Sequence, residues 1–577
     1  MAVLSVFLCL LALYGATIST PPDVLDGEVE FQTTSSLVRR GSLALGGTPE
    51  AEAILAHDGG RGFNTHRGGP GREHESFSWF GVGQAYTGVP FYLMGRALQR
   101  LFPEFEERHA AVLHLGIARS EYFEHLCVGL RNPLLGAWTA ALVTASALLL
   151  AVRQRTAWIA GLAYGLCTFA WPQARSTFNS VQTTFFLFAA LYCVLLVRDR
   201  LARGLRPGIP ALLAASASLG MAFLTRSLSG PAIAVVGMAA LWVLWSEKRR
   251  KARLLGALEL AALGAPALGA LGLFLWTNAA RFGAPLEQGY GGIVTWESYF
   301  NYPLHFGLAG ILFSPGQGLL WMAPLVVLVL PWSWRSLRRR EVFLPALLLA
   351  VAGAVLVPVA MTVGWHGAWG YGPRYALPLL PFLWLGVAQS LEALETERSG
   401  PEDPVLGRRI GKGIALALGL LGLVVALGGV LVDTTTHLAL AVEAARLEWP
   451  DIPGKTEEDR EEERFQRIRT DLRFAAPWAH WRIFFHRATG RAVGRAEAFP
   501  LREIFLLERD DVLTLPEDRD HGFRHLAWID FRERLGGSFA PVAVLGAALL
   551  AGAAACARRG FGQGDSRKSV PAPPSSA

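Results

Sequence analysis

Twelve apolar segments run through this chain, and the arginine-rich connections between them fall after every second segment. The segments are Val3–Ile18, Pro133–Val152, Trp158–Phe169, Thr183–Val197, Ile209–Leu224, Pro231–Trp245, Leu255–Trp276, Leu319–Trp334, Val342–Val363, Tyr375–Leu391, Ile414–Val432 and Phe539–Ala557. Most are long enough, or nearly so, to cross a hydrocarbon core of about 30 Å as helices. Only closed hydrogen-bonded elements span lipid, and unbroken apolar runs without alternation favour helices over a barrel. Basic clusters follow the even-numbered segments: Arg153 and Arg155, Arg198–Arg206, Lys248–Arg253, Arg335–Arg340, Arg408–Lys412 and Arg558–Lys568. Positive charge is retained on the cytoplasmic side, so both termini are expected inside.

Composition fits a multi-pass membrane protein. Hydrophobic residues make up 52% of the 577 and charged residues 18%, with a mean hydropathy of +0.33. The net charge of +7 is largely explained by the cytoplasmic arginines, so it calls for no nucleic-acid partner. The five cysteines lie in or beside apolar segments and offer neither a disulfide framework nor a zinc site. The first segment lacks a basic leader and an A-x-A site, and is expected to be an uncleaved anchor. No P-loop and no inner globular domain are present, which argues against an ATP-driven pump.

The informative polar strings all fall on the opposite, outer face. Two long loops lie there, 19–132 and 433–538. All thirteen histidines sit in or at the edge of outer loops. Loop 19–132 opens with Asp26-Gly27-Glu28-Val29-Glu30-Phe31, and a short amphipathic helix is expected over Gln32–Arg40. Carboxylates this close to a bilayer are costly unless they face water or a polar cleft. At a cleft, Asp26 or Glu28 can act as a general base; a solvated acidic loop is the plainer reading. Further on come Trp79 and Gln84 within Ser76–Gln84, and Thr87–Gly95, which suits an interfacial helix. Arg281 and Tyr290 lie between segments seven and eight, and Arg226 follows segment five. Trp365-His366-Gly367-Ala368-Trp369-Gly370-Tyr371-Gly372-Pro373-Arg374 lies between nine and ten. Small residues let backbone approach a ligand. Aromatics such as Trp79, Tyr290, Trp369 and Tyr371 offer faces for sugar rings, and arginine offers a fork for phosphate oxygens. Arg374 stands where a helix begins, so helix N–H groups add to its pull on an anion. A plainer role for it is snorkelling to lipid headgroups.

An acidic motif just after the first helix, a multi-helix body and active loops on the outer face together resemble the glycosyltransferase C fold. The strings at Gly372–Leu383, Ser314–Trp321, Arg281–Tyr290 and Gly81–Gly95 resemble bacterial members of its protein O-mannosyltransferase and aminoarabinose-transferase branch. The resemblance covers about residues 1–391. It implies an inverting sugar transfer from a polyprenyl-phosphate donor to a lipid, glycan or protein acceptor, on the outer face of a bacterial inner membrane. Asp26 or Glu28 would be the base. Arg374, helped by Arg281 and Arg226, would hold the donor phosphate. Trp79, Gln84, Tyr290, His366, Trp369 and Tyr371 would line the cleft. No cofactor is expected, and whether a metal takes part is left open by the sequence. The family's acidic motif is an adjacent pair followed by an aromatic, whereas Gly27 here separates Asp26 from Glu28.

The expected organisation is a transmembrane core over 1–391, an inner loop and helix over 392–432, an outer loop domain over 433–538, a last helix over 539–557 and a disordered tail over 558–577. Two other functions compete. A lipid-pyrophosphate-dependent polysaccharide ligase or polymerase shares the topology but needs no acidic motif after helix one. A non-enzymatic lipid or glycan transporter would show polar residues inside helices and repeated halves with interrupted segments; the helices are nearly free of buried charge and the sequence has no internal repeat. His521 and His525, spaced i, i+4 beside Asp518 and Asp520, would suit zinc only on a helix, and Gly522 opposes one.

Overall fold

The computed structural model describes residues 1–19, 25–60, 64–110, 113–114, 117–118, 120–250, 256–290, 299–396, 405–450, 456–489, 497–508, 511–514 and 525–562. The chain is mainly helical. Among the described residues eight helices are long and apolar enough to cross a membrane: Tyr122–Leu149, Asn179–Ala202, Ser227–Ser246, Ala257–Phe282, Phe343–Ala360, Arg374–Thr396, Gly407–Leu431 and Ala540–Gly560. Three shorter apolar helices join them, Ala2–Ala16, Ile209–Thr225 and Leu304–Phe313.

Two of the twelve expected segments take a different form. Leu319–Trp334 is not one helix. It divides into Leu319–Met322, a 3₁₀ stretch Pro324–Leu328 and the helix Val329–Arg338, with Ala323 between them at φ −150° and ψ 66°. Pro324 lacks the N–H that would carry the helix across this point. Trp158–Phe169 becomes the 13-residue helix Gln154–Leu166, too short to span alone. Conversely, Leu304–Phe313 is a helix within the connection between segments seven and eight, where none is expected.

The helices pack around a core that includes Ala137, Ala140, Phe188, Phe382, Trp384 and Leu385, all fully buried. The first and last helices lie side by side, with Ser5 Oγ donating to the Ala553 carbonyl at 2.8 Å. A Cβ on Gly560 would stand 3.3 Å from Met1 Cβ, so the two outermost ends share one side. Basic ends of even-numbered segments also meet. Arg153 pairs with Glu392 at 2.7 Å, and Arg198 lies 4.9 Å over the Phe343 ring.

On the other side the loops assemble. Thr65–Arg67 pairs antiparallel with Ser76–Ser78, Thr65 opposite Ser78. This hairpin brings Asn64 and Trp79 together, the Trp79 N–H reaching the Asn64 carbonyl at 3.3 Å. Its tip is tied to the end of helix Ala257–Phe282 through the Gly69 N–H and the Arg281 carbonyl at 2.9 Å. A second small core gathers Leu438, Phe474, Phe499 and Phe505.

Candidate active site

The helix that follows the first apolar segment decides the geometry. It runs Leu25–Arg40, starting seven residues before the expected Gln32. Each residue turns about 100° around a helix axis, so Asp26 and Glu30 share a face while Glu28 faces away. Gly27 permits this arrangement. A Cβ there would meet Thr177 Oγ1 at 1.9 Å and Thr177 Cβ at 2.7 Å. The acidic pair of this chain is therefore spaced i, i+4 rather than adjacent.

Asp26 is partly exposed at a cavity. Its Oδ1 accepts from Asn64 Nδ2 at 2.7 Å, and Arg374 Nη1 lies 3.4 Å from its Oδ2. Glu30 lines the same cavity and is buried, with Oε1 accepting from Asn179 Nδ2 at 3.2 Å. Burial pushes its carboxyl up to about 8, against the pull of Arg131, and the Asp26 charge adds to the rise. The two carboxyls on one wall thus differ in surroundings: Asp26 faces Arg374, while burial favours the neutral form of Glu30.

Glu28 lies elsewhere. It is 1% exposed, 3.1 Å from His125 Nε2, and accepts from Gln32 Nε2 at 2.6 Å. It does not line the cavity.

Across from Asp26 stands Arg374. Its guanidinium sits 4.0 Å over the Phe178 ring, and Nη2 donates to Tyr375 Oη at 3.0 Å. The helix does begin here, as a 3₁₀ stretch Arg374–Leu379 leading into Leu380–Thr396. The glycine-rich string before it wraps the arginine. Cβ atoms on Gly367 and Gly370 would stand 2.8 Å and 2.7 Å from the Arg374 stem. Arg226 lines the cavity too, 4.2 Å over the Tyr375 ring, with no carboxylate within ion-pair reach among the described residues. Burial holds its proton affinity below the usual value, and nearby Arg374 contributes.

Arg281 also reaches the cavity, but most of its donors are already used. Nη1 donates to the Ser78 and Phe80 carbonyls at 2.9 and 3.3 Å, Nη2 to Asn278 Oδ1 at 2.9 Å and Nε to the Thr277 carbonyl at 3.3 Å. At most one of its five N–H groups is left for a ligand. Trp79 and Tyr290 stack at 5.0 Å and 14° and form one aromatic wall. The cavity holds about 120 Å³. Ordinary ligand pockets hold about 300–1,000 Å³, so this is room for a headgroup rather than a whole lipid-linked sugar.

Asp26, Trp79, Arg226, Arg281, Tyr290 and Arg374 therefore line one cavity. Gln84 lines a smaller neighbouring one with Glu30, Arg131 and His125. His366, Trp369 and Tyr371 turn away. His366 is buried with Nε2 3.6 Å from Glu462, Trp369 packs beside Phe465, and Tyr371 Oη donates to the Val425 carbonyl at 2.6 Å. Sequence reasoning missed Glu30, Asn64, Phe178 and Tyr375. Only Glu30 carried a signal, its i, i+4 spacing from Asp26. Asp518, Asp520 and His521 of the zinc alternative lie outside the described residues. Its remaining member, His525, sits 3.9 Å from Asp433 Oδ1 and 3.4 Å from the Val430 carbonyl.

Residues 116–280 match the family model described as dolichyl-phosphate-mannose-protein mannosyltransferase. The match bears out the resemblance to the glycosyltransferase C superfamily. Of the arginines and carboxylates at the cavity's charged centre it contains Arg226 alone, and neither Asp26 nor Arg374. No curated protein matches the chain. Two crystal structures of ArnT from Cupriavidus metallidurans overlay on it at 14% identity. The one bound to undecaprenyl phosphate covers 95% of this chain and 77% of its own, with a TM-score of 0.38. The apo one covers 93% and 74%, with a TM-score of 0.42. The family match and the eight apolar helices make the chain a multi-pass membrane protein.

Proposed function

We propose that this chain is a membrane glycosyltransferase that moves a sugar from a polyprenyl-phosphate donor to an acceptor hydroxyl on the outer face of a bacterial inner membrane. The observation that carries the proposal is the facing of Asp26 and Arg374 across a cavity that Arg226 also lines. A base and a phosphate-binding cation are the two groups such a transfer needs.

In the reaction Asp26 takes the proton of the acceptor hydroxyl. The acceptor oxygen bonds to the anomeric carbon from the face opposite the phosphate, and the configuration inverts. The carbon–oxygen bond to the phosphate breaks, and its electron pair leaves with the lipid phosphate. Arg374 and Arg226 stabilise the charge gathering there. Donor binding would replace the 3.4 Å contact between Arg374 and Asp26 with a contact to phosphate, which frees Asp26 to accept a proton. Glu30, in the neutral form that burial favours, adds no second negative charge beside the phosphate. Arg281 fixes the wall that carries Trp79, and the Trp79–Tyr290 pair offers a face for the sugar.

The experiment compares affinity for a non-hydrolysable polyprenyl-phosphate sugar analogue in Arg374→Ala and Asp26→Asn. Arg374→Ala should lose affinity and Asp26→Asn should largely keep it while losing turnover. Unchanged affinity in Arg374→Ala would remove the phosphate site from this residue.

A further inference from the structure

The outer loop domain sends one residue into the cavity's supporting layer. Arg469, near the end of helix Glu457–Thr470, is 1% exposed and among the largest fully buried side chains. Its Nη2 donates to the Ala368 carbonyl, and its own carbonyl accepts from Ser314 Oγ and from the Gly316 N–H at 3.1 Å. Gln317 Nε2 donates to the Gly370 carbonyl at 3.1 Å and completes the link. Arg469 thus joins the turn at Ser314–Gly318 to the string Gly367–Gly370, which in turn encloses the Arg374 stem.

That string is not a relaxed turn. Gly367 and Ala368 are consecutive left-handed residues, at φ 74° and 48°. Glycine adopts this conformation freely, but alanine does so at a cost. Such a conformation persists only where its surroundings over-determine it. The guanidinium of Arg469 on the Ala368 carbonyl supplies that restraint.

The residue is costly to keep there. Burial, and next the like charge of Arg374, pull its proton affinity down to about 9. No carboxylate pairs with it among the described residues. A buried, unpaired cation is a poor way merely to fill a core.

We propose that Arg469 is a positioning residue that holds the Gly367–Gly370 cradle so that Arg374 presents its fork to the donor phosphate. The outer loop domain would then be part of the catalytic apparatus rather than an appendage. This rests on the glycosyltransferase reading, and the test separates the two.

The test is a double-mutant cycle on purified protein, read by affinity for a polyprenyl-phosphate analogue and by turnover. Misplacing a catalytic group by about 1 Å costs on the order of a hundredfold in rate. Arg469→Ala should therefore lose turnover on that scale and lose analogue affinity, while its other loop contacts keep it folded. Arg469→Lys still reaches the Ala368 carbonyl with an N–H donor and should recover most of both. In the Arg374→Ala background, Arg469→Ala should add little, because residues that act as one unit are not additive. Additive losses, or near-normal affinity in Arg469→Ala while Arg374→Ala is impaired, would overturn the positioning role and leave the glycosyltransferase reading intact. No binding of the analogue by the unaltered protein would instead overturn the reading on which the proposal rests. If Arg469→Ala proves unstable, Arg469→Gln serves as the second variant. It is closer in size, but its amide is too short to meet the Ala368 carbonyl, so it should lose affinity and turnover as Arg469→Ala does and add little in the Arg374→Ala background; additive losses there count against the proposal.

Discussion

Gly27→Ala is the smallest change with a large expected effect. The new Cβ would stand 1.9 Å from Thr177 Oγ1 and 2.7 Å from Thr177 Cβ. Ordinary contact needs about 3.5 Å. A new rotamer at Thr177 moves Oγ1 but leaves Cβ in place, so about 0.8 Å must still come from backbone movement. Both partners of that contact flank the cavity. On one side the shift carries Asp26 and Glu30. On the other it carries Phe178, over which Arg374 sits, and Asn179, which donates to Glu30. Overpacking of this kind costs about 1–3 kcal/mol of stability, which a folded chain of this size survives. The displacement costs more in rate, on the order of a hundredfold. Turnover should be measured beside thermal unfolding in Gly27→Ala and in Gly27→Ala with Thr177→Gly. The second change removes the obstructing side chain and should restore part of the lost turnover. Near-normal turnover in Gly27→Ala, or no recovery in the double variant, would refute the claim that this contact sets the carboxylate positions.

Three more outcomes are expected from the geometry. Glu30 has a folded-state value near 8, above that of an unfolded carboxyl. Its contribution to stability is fully present at acid pH and is lost as pH rises through about 8. The same deprotonation puts a second anion beside Asp26, so donor-analogue affinity should fall above about pH 8, and Glu30→Gln should remove that fall; an unchanged profile counts against it. Glu28→Gln should act on stability instead of chemistry, since removing one partner of a buried pair costs on the order of 3 kcal/mol; a folded variant with lost turnover would return the base to Glu28. Cysteines introduced near Asp26 and Thr456 should label from outside and one near Arg338 should not; outside labelling at Arg338 would reverse the topology.

Much of the helical body was legible, because long apolar runs have few alternatives in lipid. Leu319–Trp334 was not. Its hydropathy is continuous, but Pro324 and the backbone at Ala323 break it. Helix Leu304–Phe313 was hidden because its ten residues fall below a membrane-spanning length. At the cavity, Asp26, Arg226, Arg281 and Arg374 stood out as charges in connections expected on the outer face. Glu30 did not, because Asp26-Gly27-Glu28 reads as a loop and glycine argues against a helix there. The close approach of Thr177 is what calls for glycine inside this helix. His366, Trp369 and Tyr371 have the chemistry of a sugar site, but the left-handed turn at Gly367 and Ala368 directs the chain around Arg374 instead. Nothing in residue spacing reveals that Arg469, about a hundred residues further on, supports this turn.

If Asp26 and Arg374 serve a sugar transfer, the donor must be a lipid monophosphate sugar. The direct measurement supplies purified protein with a panel of polyprenyl-monophosphate sugars, and with the corresponding pyrophosphates, in a lipid extract containing acceptors. It tracks release of free polyprenyl phosphate from the first set and of free polyprenyl pyrophosphate from the second. The unaltered protein should consume a monophosphate donor, and Asp26→Asn should reduce this on the order of 10²–10⁴-fold. Consumption of pyrophosphate donors alone, or monophosphate turnover unchanged in Asp26→Asn, would contradict it.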